Sequence, residues 1–358
     1  MRYLSLFSGI GGFEMGIPTD WKSVGFSELN KYASSIYRLH YPNHKELGDA
    51  TRIRTRDLDD FEILVGGFPC QAFSIAGQRK GFQDHRGTLF FEIARILSDK
   101  RPRYFLLENV PNLLGHDNGK TFCEILRICA EIGYDVQWDV LNSKDFGVPQ
   151  QRKRVFLIGS IREGRRPEIF PLSGTDFIFD ESQEQRFSWT YESQKKQREG
   201  NCHDTTIPNA QNGQNGQLRR RGINQINNPV HSNDRVYDES GLSPTLNTMQ
   251  GGRRQPFIQM ETANTLDCDA YLRTGARPRD ENGKPQLKPI GERRIRRLTP
   301  TECERLQGFP DGYTTYGIDE NKKRTNISDT QRYKCLGNAV TTNVVRAVTQ
   351  KMEFQIEN

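Results

Sequence analysis

Residues 3–16, YLSLFSGIGGFEMG, join a short apolar run to a glycine-rich turn and then to a segment with helical spacing. This order predicts a β-strand, a tight turn and an α-helix. The missing side chains at Gly9, Gly11 and Gly12 would let backbone N–H groups approach a ligand, and a helix N-terminus favours negative charge there. The spacing is not a clean GxGxxG, so a purely structural turn is an equally open interpretation.

Apolar runs and amphipathic stretches alternate through about the first 160 residues. The further apolar runs are VGFSE (24–28), EILVGG (62–67), YFLLENV (104–110) and RVFLIGS (154–160). The stretches with helical spacing are NKYASSIYRLH (30–40), FEIARILSDK (91–100) and TFCEILRICAEIGY (121–134). This alternation predicts an α/β fold with a mostly parallel sheet covered by helices. Ligands bind at the carboxyl ends of parallel strands, so we expect the chemistry in the loops that follow these strands.

The middle of the chain differs from its two ends. Residues 181–228 hold 15 Gln and Asn among 48 residues, which predicts a flexible insertion. Short strand-like pieces between about 229 and 298 predict a small, irregular, β-rich second domain. LTPTECERLQGF (298–309) and NAVTTNVVRAVTQKMEF (338–354) predict helices, the second of which packs back on the first domain. The predicted boundaries are 1–170, 171–290, 291–334 and 335–358.

Composition and charge narrow the class of protein. Hydrophobic residues make up 34% of the chain and charged residues 27%, which is enough apolar material for a core. No apolar run approaches the ~18 residues of a membrane span and no leader is evident, so we expect a soluble protein that is not exported. Seven cysteines without a CxxC pair favour reduced thiols.

The net charge of +6 is unevenly placed. Residues 211–305 hold 16 Lys and Arg against 11 Asp and Glu, a surplus of +5, so the rest of the chain carries only +1. A basic segment suits a polyanion partner because each neutralised phosphate releases counterions. On charge alone, a solvated arginine-rich surface is as good an interpretation.

Several chemically able side chains follow the predicted strands. Cys70, in GGFPCQAFSIAG (66–77), comes after an apolar run and a proline, where a thiolate would project from a loop, although a lone cysteine is more often a buried structural residue. Glu108 ends an apolar strand, and a carboxyl at that depth would have a raised pKa and serve as an acid. In QQRKRVFLIGS (150–160), Arg152 and Arg154 share one face of a strand and would bind phosphate or pair with Glu108.

Two acids and a pair of histidines bear on which ligand the chain binds. Glu28 and Asp49 follow the second strand, where carboxylates would reach a ribose hydroxyl and an adenine amino group, although each alone is an ordinary surface acid. His40 and His44 have the spacing of a metal pair on a helix, but Pro42 between them spoils a regular helix. We therefore predict no metal site.

Taken in order, the motifs FSGIGGFEMG, GGFPCQAFS, ENV, QQRKRVF, RRLTPTECERLQGFP and GNAV closely resemble the cytosine-5 DNA methyltransferases of bacterial restriction–modification systems. The resemblance covers about residues 3–160 and 293–346. It implies a Rossmann-like catalytic domain over 1–170, a variable target-recognition domain over 171–290, a hinge over 291–334 and a returning C-terminal helix over 335–358.

The resemblance also implies a mechanism. Cys70 would add to C6 of a cytosine flipped out of the duplex, which makes C5 nucleophilic toward the methyl group of S-adenosylmethionine. Glu108 would hold N3 and the exocyclic amine, and Arg154 would contact O2. Arg152 would lie near the phosphate backbone or Glu108. The base that removes the C5 proton is not identified.

Cofactor and DNA contacts are implied residue by residue. The residues that match the S-adenosylmethionine pocket of the family are Phe7, Gly9, Gly11, Gly12, Glu28, Asp49, Leu89 and Asn338. Leu29 departs from the aromatic residue that would stack on adenine. The residues expected to reach the DNA target are Thr245, Leu246, Arg253 and Arg254. The target sequence itself cannot be read from the chain.

The implied partners are double-stranded DNA and a cognate restriction endonuclease that acts in the same system without contacting this chain. We expect a cytoplasmic monomer that associates with the nucleoid through DNA, without a membrane.

Two alternatives stay open: a tRNA cytosine-5 methyltransferase of the related eukaryotic type, and a catalytically silent DNA-binding subunit. GFPCQAFS argues against the first, and the presence of Cys70, Glu108 and Arg154 together argues against the second. A nicotinamide dehydrogenase is excluded because the glycine spacing is wrong and Cys70 and Glu108 would have no role.

Overall fold

The computed structural model describes residues 1–68, 89–164, 166–172, 236–238, 242–246, 257–260 and 294–357. The strands of the main sheet are β1 (Arg2–Leu6), β2 (Lys22–Ser27), β3 (Ile63–Gly67), β4 (Tyr104–Asn109), β5 (Tyr134–Asn142) and, after a two-residue strand β6 (Gln150–Gln151), β7 (Lys153–Ile161). The helices are α1 (Gly12–Gly16), α2 (Lys31–His40), α3 (Leu89–Lys100), α4 (Asn112–Gly115), α5 (Lys120–Glu131), α6 (Pro300–Leu306), α7 (Asp329–Asn338) and α8 (Thr342–Glu357).

The six-stranded main sheet has the order β2-β1-β3-β4-β7-β5. Strands β1 to β4 pair in parallel, whereas β7 pairs antiparallel with both β4 and β5. The predicted mostly parallel, helix-covered sheet is therefore confirmed. Strand β5 was not predicted, because YDVQWDVLN alternates polar with apolar residues and is only partly buried.

The central strands are apolar along their whole length because helices cover the sheet on both faces. Every residue of β4 is buried, and in β3 only the last residue, Gly67, is partly exposed. On one face, α3 and α5 supply an aliphatic and aromatic cluster that includes Ile93, Leu97 and Ile125. The carboxyl ends of β1, β3 and β4 consequently meet at one edge of a rigid platform.

The C-terminal helix α8 covers the other face. Val344, Val345 and Val348 are buried there with side chains from the sheet. A Cβ on Gly16 of α1 would lie 2.6 Å from Cβ of Val345, so the two helices approach too closely for any side chain at that position. The last helix thus packs against the helix that follows the glycine-rich turn.

A third cluster joins the C-terminal third of the chain to that turn. Ile10 is buried with residues of α6 and α7, and Leu246 and Leu298 belong to the same cluster. Helix α6 begins with a capping box in which Thr299 accepts from the N–H of Glu302, as the Thr-capped sequence predicts.

The remaining strands are short. They are β8 (Val236–Asp238), β9 (Ser243–Pro244), β10 (Phe257–Met260), β11 (Arg294–Arg297), β12 (Tyr316–Ile318) and β13 (Arg324–Asn326). Strands β11, β10 and β8 form a three-stranded sheet, and β9 pairs with β6. Within the predicted second domain the described strands are β8, β9 and β10, and the Gln/Asn-rich tract 181–228 lies outside the described residues. No helix of the described part is long and apolar enough to span a membrane.

Candidate functional site

Glu108 and Arg154 form an ion pair at the edge where the parallel strands end. Glu108 lies on β4 and Arg154 on the neighbouring β7, and the Arg154 Nε is 2.9 Å from the Glu108 Oε1. Both side chains are largely buried. Burial raises the pKa of Glu108, and the charges of Arg154 and Arg152 offset part of that rise. The pair presents a carboxyl able to carry a proton above its ordinary pH range.

Asn109, the next residue, fastens the chain that leads to Cys70. Its Nδ2 donates to the carbonyl of Phe68 at 2.9 Å, and its Oδ1 accepts from the N–H of Val110. Phe68 is the last described residue before Cys70, which itself lies outside the described residues together with the rest of 69–88. No role was predicted for Asn109. The one feature of the sequence that could have pointed to a role is its position directly after Glu108 in a buried strand.

Glu28 closes the glycine-rich turn. Its Oε2 accepts from the N–H of Gly9 at 2.8 Å, and its Oε1 accepts from the N–H of Asn30 at 2.7 Å. Burial raises the pKa of Glu28, and these backbone hydrogen bonds counteract it. Each oxygen has a second lone pair available, so the carboxylate can still accept from a ligand.

Gly11 and Gly12 serve packing inside the protein. A Cβ on Gly11 would lie 2.5 Å from Tyr41 Cε2, and its φ is +89°. A Cβ on Gly12 would lie 2.8 Å from Cγ1 of Val340. The absent side chains therefore admit Tyr41 and the C-terminal segment, which differs from the expectation that all three glycines open space for a ligand. Gly9 matches that expectation, since no described atom lies within 4 Å of its Cβ position.

The other expected cofactor residues are spread along the same edge. Phe7 follows β1 with a φ of +53°, a left-handed conformation that costs about 1–3 kcal/mol for a non-glycine residue and often marks functional sites. Leu89 begins α3 and is half-buried. Asn338 ends α7 with an exposed side chain.

Asp49 is engaged locally. Its Oδ1 accepts from the N–H and the hydroxyl of Thr51, which lowers the pKa of Asp49. Its Oδ2 lies 3.8 Å from Nε of Arg52. The remaining lone pairs leave room for one further donor, such as an amino group.

Arg152 was expected near the phosphate backbone or near Glu108. The structure buries it away from solvent, and its charge acts on Glu108. Its residue is 1% exposed, and its guanidinium donates to the carbonyls of Leu246, Gly337 and Ala339 at 3.1, 3.1 and 2.7 Å. It is also not on the strand with Arg154, because it lies between β6 and β7. The sequence gave no sign of this burial, because the three acceptors are distant in sequence.

The expected DNA contacts divide in two. Thr245 is exposed, and its hydroxyl donates to the carbonyl of Gln151 at 2.8 Å. The Leu246 side chain is 1% exposed and packs in the cluster with Ile10, so the expectation that it enters the major groove is wrong for this structure. The physical reason is that an apolar side chain beside a core is more stable buried than in the groove. Arg253 and Arg254 lie outside the described residues.

The histidines bind neighbouring groups. His40 Nε2 lies 2.8 Å from the carbonyl of Tyr313, and His44 Nδ1 lies 3.0 Å from the hydroxyl of Tyr37. Within the described ranges, no group of three potential metal ligands is found.

Comparison with known proteins agrees with this arrangement. A family model of the C-5 cytosine-specific DNA methylases matches residues 1–353. The chain belongs to this family. The cytosine-5 methyltransferase predicted from the motifs is thereby confirmed as a family assignment.

Two curated members of the C-5 cytosine-specific methylases illustrate the likeness. The chain is 35% identical over 357 residues to the type II methyltransferase M.SsoII of Shigella sonnei, covering 98% of this chain and 79% of that protein. It is 31% identical over 358 residues to the type II methyltransferase M.HhaI of Haemophilus parahaemolyticus, covering 97% and 93%.

Two solved structures share the methylase fold. The S. pombe Dnmt2 methyltransferase superposes with a TM-score of 0.60 at 19% identity, covering 100% of this chain and 99% of that one. The Entamoeba histolytica methyltransferase EhMeth gives 0.55 at 14% identity, with the same coverage. At these identities the superpositions support the fold alone.

Proposed function

We propose that this chain transfers a methyl group from S-adenosylmethionine to C5 of a cytosine flipped out of a specific duplex DNA sequence. The observation that carries the proposal is the buried Glu108–Arg154 pair at the carboxyl edge of the sheet, 2.9 Å between Oε1 and Nε. Gly67, the last residue of β3, is the parallel pairing partner of Glu108. Cys70 follows Gly67 by three residues, so the chain can carry its sulfur no further than about 11 Å from that edge plus a side-chain length.

Cys70 is the proposed nucleophile. A thiolate adding to C6 of the ring breaks the C5–C6 double bond and makes C5 nucleophilic, which unmodified cytosine is not. C5 then forms the bond to the methyl group, and removal of the C5 proton by a base restores the double bond and releases the sulfur from C6. Because this attack needs access to the face of the base, the cytosine must leave the stack.

Glu108 is the proposed acid. Negative charge develops at N3 when sulfur adds to C6, and a protonated carboxyl within hydrogen-bond reach neutralises it. Burial raises the pKa of Glu108, so its protonated form persists to a higher pH than that of an exposed glutamate. Arg154 orients this carboxyl through its Nε, and its Nη1 donates to the carbonyl of Lys153 at 2.7 Å. Its Nη2 is the proposed partner of the cytosine O2.

The residues at the glycine-rich turn fit S-adenosylmethionine. The Glu28 oxygens retain lone pairs for two ribose hydroxyls, and the space beside Gly9 is open among the described residues. Leu29 is 68% exposed beside Glu28, as expected of an apolar side chain that a ring system would cover. Phe7, Leu89, Asp49 and Asn338 complete the proposed pocket. When bound, S-adenosylmethionine supplies an electrophilic methyl group.

The proposed macromolecular substrate is double-stranded DNA, bound through the basic segment with Thr245, Arg253 and Arg254 among the contacts. The proposal includes a cytoplasmic monomer that associates with the nucleoid through DNA. It also includes a cognate restriction endonuclease that acts in the same system without contacting this chain. The proposed endonuclease rests on the likeness to type II methyltransferases.

Methylation mapping with a Glu108→Gln variant tests the proposal. Bisulfite sequencing of DNA from cells that express the wild-type chain should reveal one short sequence with a protected cytosine. Purified Glu108→Gln should methylate that sequence about 100-fold more slowly or worse, because an amide cannot donate the required proton. The wild-type single-turnover rate should fall as pH rises through the raised pKa of Glu108, since only the protonated carboxyl is the acid.

Glu124→Gln is the control, because Glu124 pairs with Arg127 on the surface of α5. It should retain the wild-type rate. Full activity of Glu108→Gln would refute the assigned acid. Methylation of RNA in place of DNA would favour the tRNA alternative.

A further inference from the structure

The guanidinium of Arg152 links two segments of the chain, one at Leu246 and one at 337–339, that are far from Arg152 and from each other in sequence. Nη1 donates to the carbonyl of Leu246, and Nη2 donates to the carbonyls of Gly337 and Ala339. Because all three acceptors are backbone atoms, the contacts fix the course of the chain independently of the side chains there. One rigid, forked cation therefore sets the distance between two segments.

The backbone of Arg152 is held as firmly as its side chain. Its N–H donates to Oδ1 of Asn142 at 2.9 Å, and its carbonyl accepts from the N–H of Ser143 at 3.0 Å. The side chain thus extends from a fixed point on the catalytic sheet. Because Arg152 is fixed to the sheet, a movement of the Leu246, Gly337 or Ala339 carbonyl that it holds is a movement relative to the sheet.

The two linked segments have different proposed tasks. Gly337 and Ala339 flank Asn338, the proposed contact that closes on the cofactor. Leu246 follows Thr245, the proposed DNA contact, and lies within the proposed recognition domain. Two residues after Arg152, Arg154 holds Glu108.

Buried polar atoms without partners surround this link. Nε of Arg152 and both side-chain polar atoms of Gln150 have no hydrogen-bond partner among the residues that the structure describes. A buried unpaired polar group costs about 1–3 kcal/mol, so such groups are uncommon without a functional reason. Arg152 and Gln150 therefore keep unused hydrogen-bonding capacity at the link itself.

We propose that Arg152 is a positioning residue that couples the cofactor-closing segment 337–339 to the recognition segment 243–246. The inference rests on the proposed function, which assigns these two segments their ligands. Binding at one segment shifts the carbonyls that Arg152 holds and so restrains the other. Such coupling is reciprocal, so DNA bound at 243–246 strengthens cofactor binding by the factor by which cofactor strengthens DNA binding.

Hydrogen exchange of the full chain with S-adenosylmethionine alone tests the coupling without any DNA. In the wild type, the ligand should slow amide exchange in peptides covering 336–340 and also in those covering 242–246, the latter by about fivefold or more. Arg152→Lys should retain protection at 336–340 and lose it at 242–246, because a lysine ammonium cannot span both sets of carbonyls. A merely structural role would lower the melting temperature and leave the pattern of protection unchanged.

Ile128→Val is the matched control, since Ile128 is buried on α5 away from the link. It should lower the melting temperature and keep protection in both segments. Arg152→Met serves if Arg152→Lys does not fold, and the wild-type measurement needs no substitution.

Protection in wild type at 336–340 without any at 242–246 would overturn the coupling, as would unchanged protection in Arg152→Lys. In either case DNA methylation by the wild type would leave the proposed function standing. Calorimetry that shows no S-adenosylmethionine binding to the wild type would instead overturn the proposed function, and the coupling with it.

Discussion

Glu28 shows how one side chain serves both the fold and the proposed ligand. Its two oxygens each accept one backbone N–H, from Gly9 and Asn30, and thereby shape the turn that a cofactor would contact. A glutamine is not a conservative replacement, because its NH₂ group would face one of these N–H donors. The useful substitution is therefore Glu28→Ala.

Glu28→Ala should weaken S-adenosylmethionine binding about tenfold or more, because each hydrogen bond to a charged group contributes roughly 1.5–3 kcal/mol. Isothermal titration calorimetry measures the change. Glu124→Ala, on the surface of α5, is the control and should bind as the wild type does. An unchanged dissociation constant for Glu28→Ala would place the ribose elsewhere.

Residues differ in how far the sequence alone predicts them. Glu28 and Glu108 were found because each ends an apolar strand, a position that sequence periodicity locates well. Arg152 and Leu246 were misplaced because their surroundings depend on contacts across roughly 90 to 190 residues of chain, to which local patterns are blind. Asn109 was overlooked for the same reason, since its partner Phe68 lies just after another strand, β3.

At the scale of elements, helix α1 carries a buried acid that the mechanism does not use. Glu14 accepts from the hydroxyl of Tyr37 at 2.9 Å through Oε1, while Oε2 has no partner among the described residues. Burial raises the pKa of Glu14, so the folded state favours its neutral form. The helix is thus most stable when this carboxyl is protonated.

The sign of the pH dependence follows from linkage. The stabilisation from a raised carboxyl pKa is fully present below the unfolded value, about 4.3, and is lost as pH rises through the folded value. Glu14→Gln keeps an acceptor for Tyr37 and carries no charge. It should therefore raise the urea midpoint relative to wild type at pH 8, and the difference should shrink toward pH 5.

Glu131→Gln is the control for this measurement, because Glu131 is exposed on α5 and pairs with Arg127. It should change the midpoint little at either pH. An equal loss of stability in Glu14→Gln at both pH values would show that the ionisation of Glu14 contributes nothing.

Helices and strands also differ in how well sequence patterns predict them. The strand–turn–helix over residues 3–16 was recognisable because its strand is mostly apolar and a glycine-rich turn follows it, whereas β5, an edge strand, was missed. An edge strand buries less of its surface, so its pattern is weaker than that of a central strand. The antiparallel placement of β7 was likewise beyond reach, since a run of apolar residues carries no direction.

At the scale of the whole molecule, the positive charge is concentrated in one part of the chain. The surplus of +5 over residues 211–305 leaves +1 for the rest, so DNA affinity should depend on the second unit and on salt. Arg253→Gln combined with Arg254→Gln should weaken duplex binding and reduce the slope of log affinity against log salt by about 1 to 2. Cofactor affinity should not change.

Arg162→Gln combined with Arg166→Gln is the matched control, because it removes the same charge from two exposed arginines that pair with Asp135. Its salt slope should stay near the wild-type value. Equal slopes for the two double variants would mean that net charge, and no specific contact, drives the binding.

The central claim is a covalent bond between Cys70 and cytosine C6, and 5-fluorocytosine traps it. Fluorine cannot leave C5 as a cation, so the final elimination is blocked once the methyl group has been transferred. The enzyme is incubated with S-adenosylmethionine and duplex DNA that carries 5-fluorocytosine in place of cytosine. The mixture is then denatured, and the peptide linked to the DNA is identified by mapping.

Cys123→Ser is the control, because Cys123 is a free, exposed thiol on α5. Cys303 and Cys335 are buried, and burial raises the pKa of both thiols, to about 12 for Cys335, so neither is expected to react. The account predicts a denaturant-resistant adduct at Cys70 in the wild type and in Cys123→Ser, and none in Cys70→Ala. An adduct that maps to another residue, or a Cys70→Ala protein that still methylates cytosine, would contradict it.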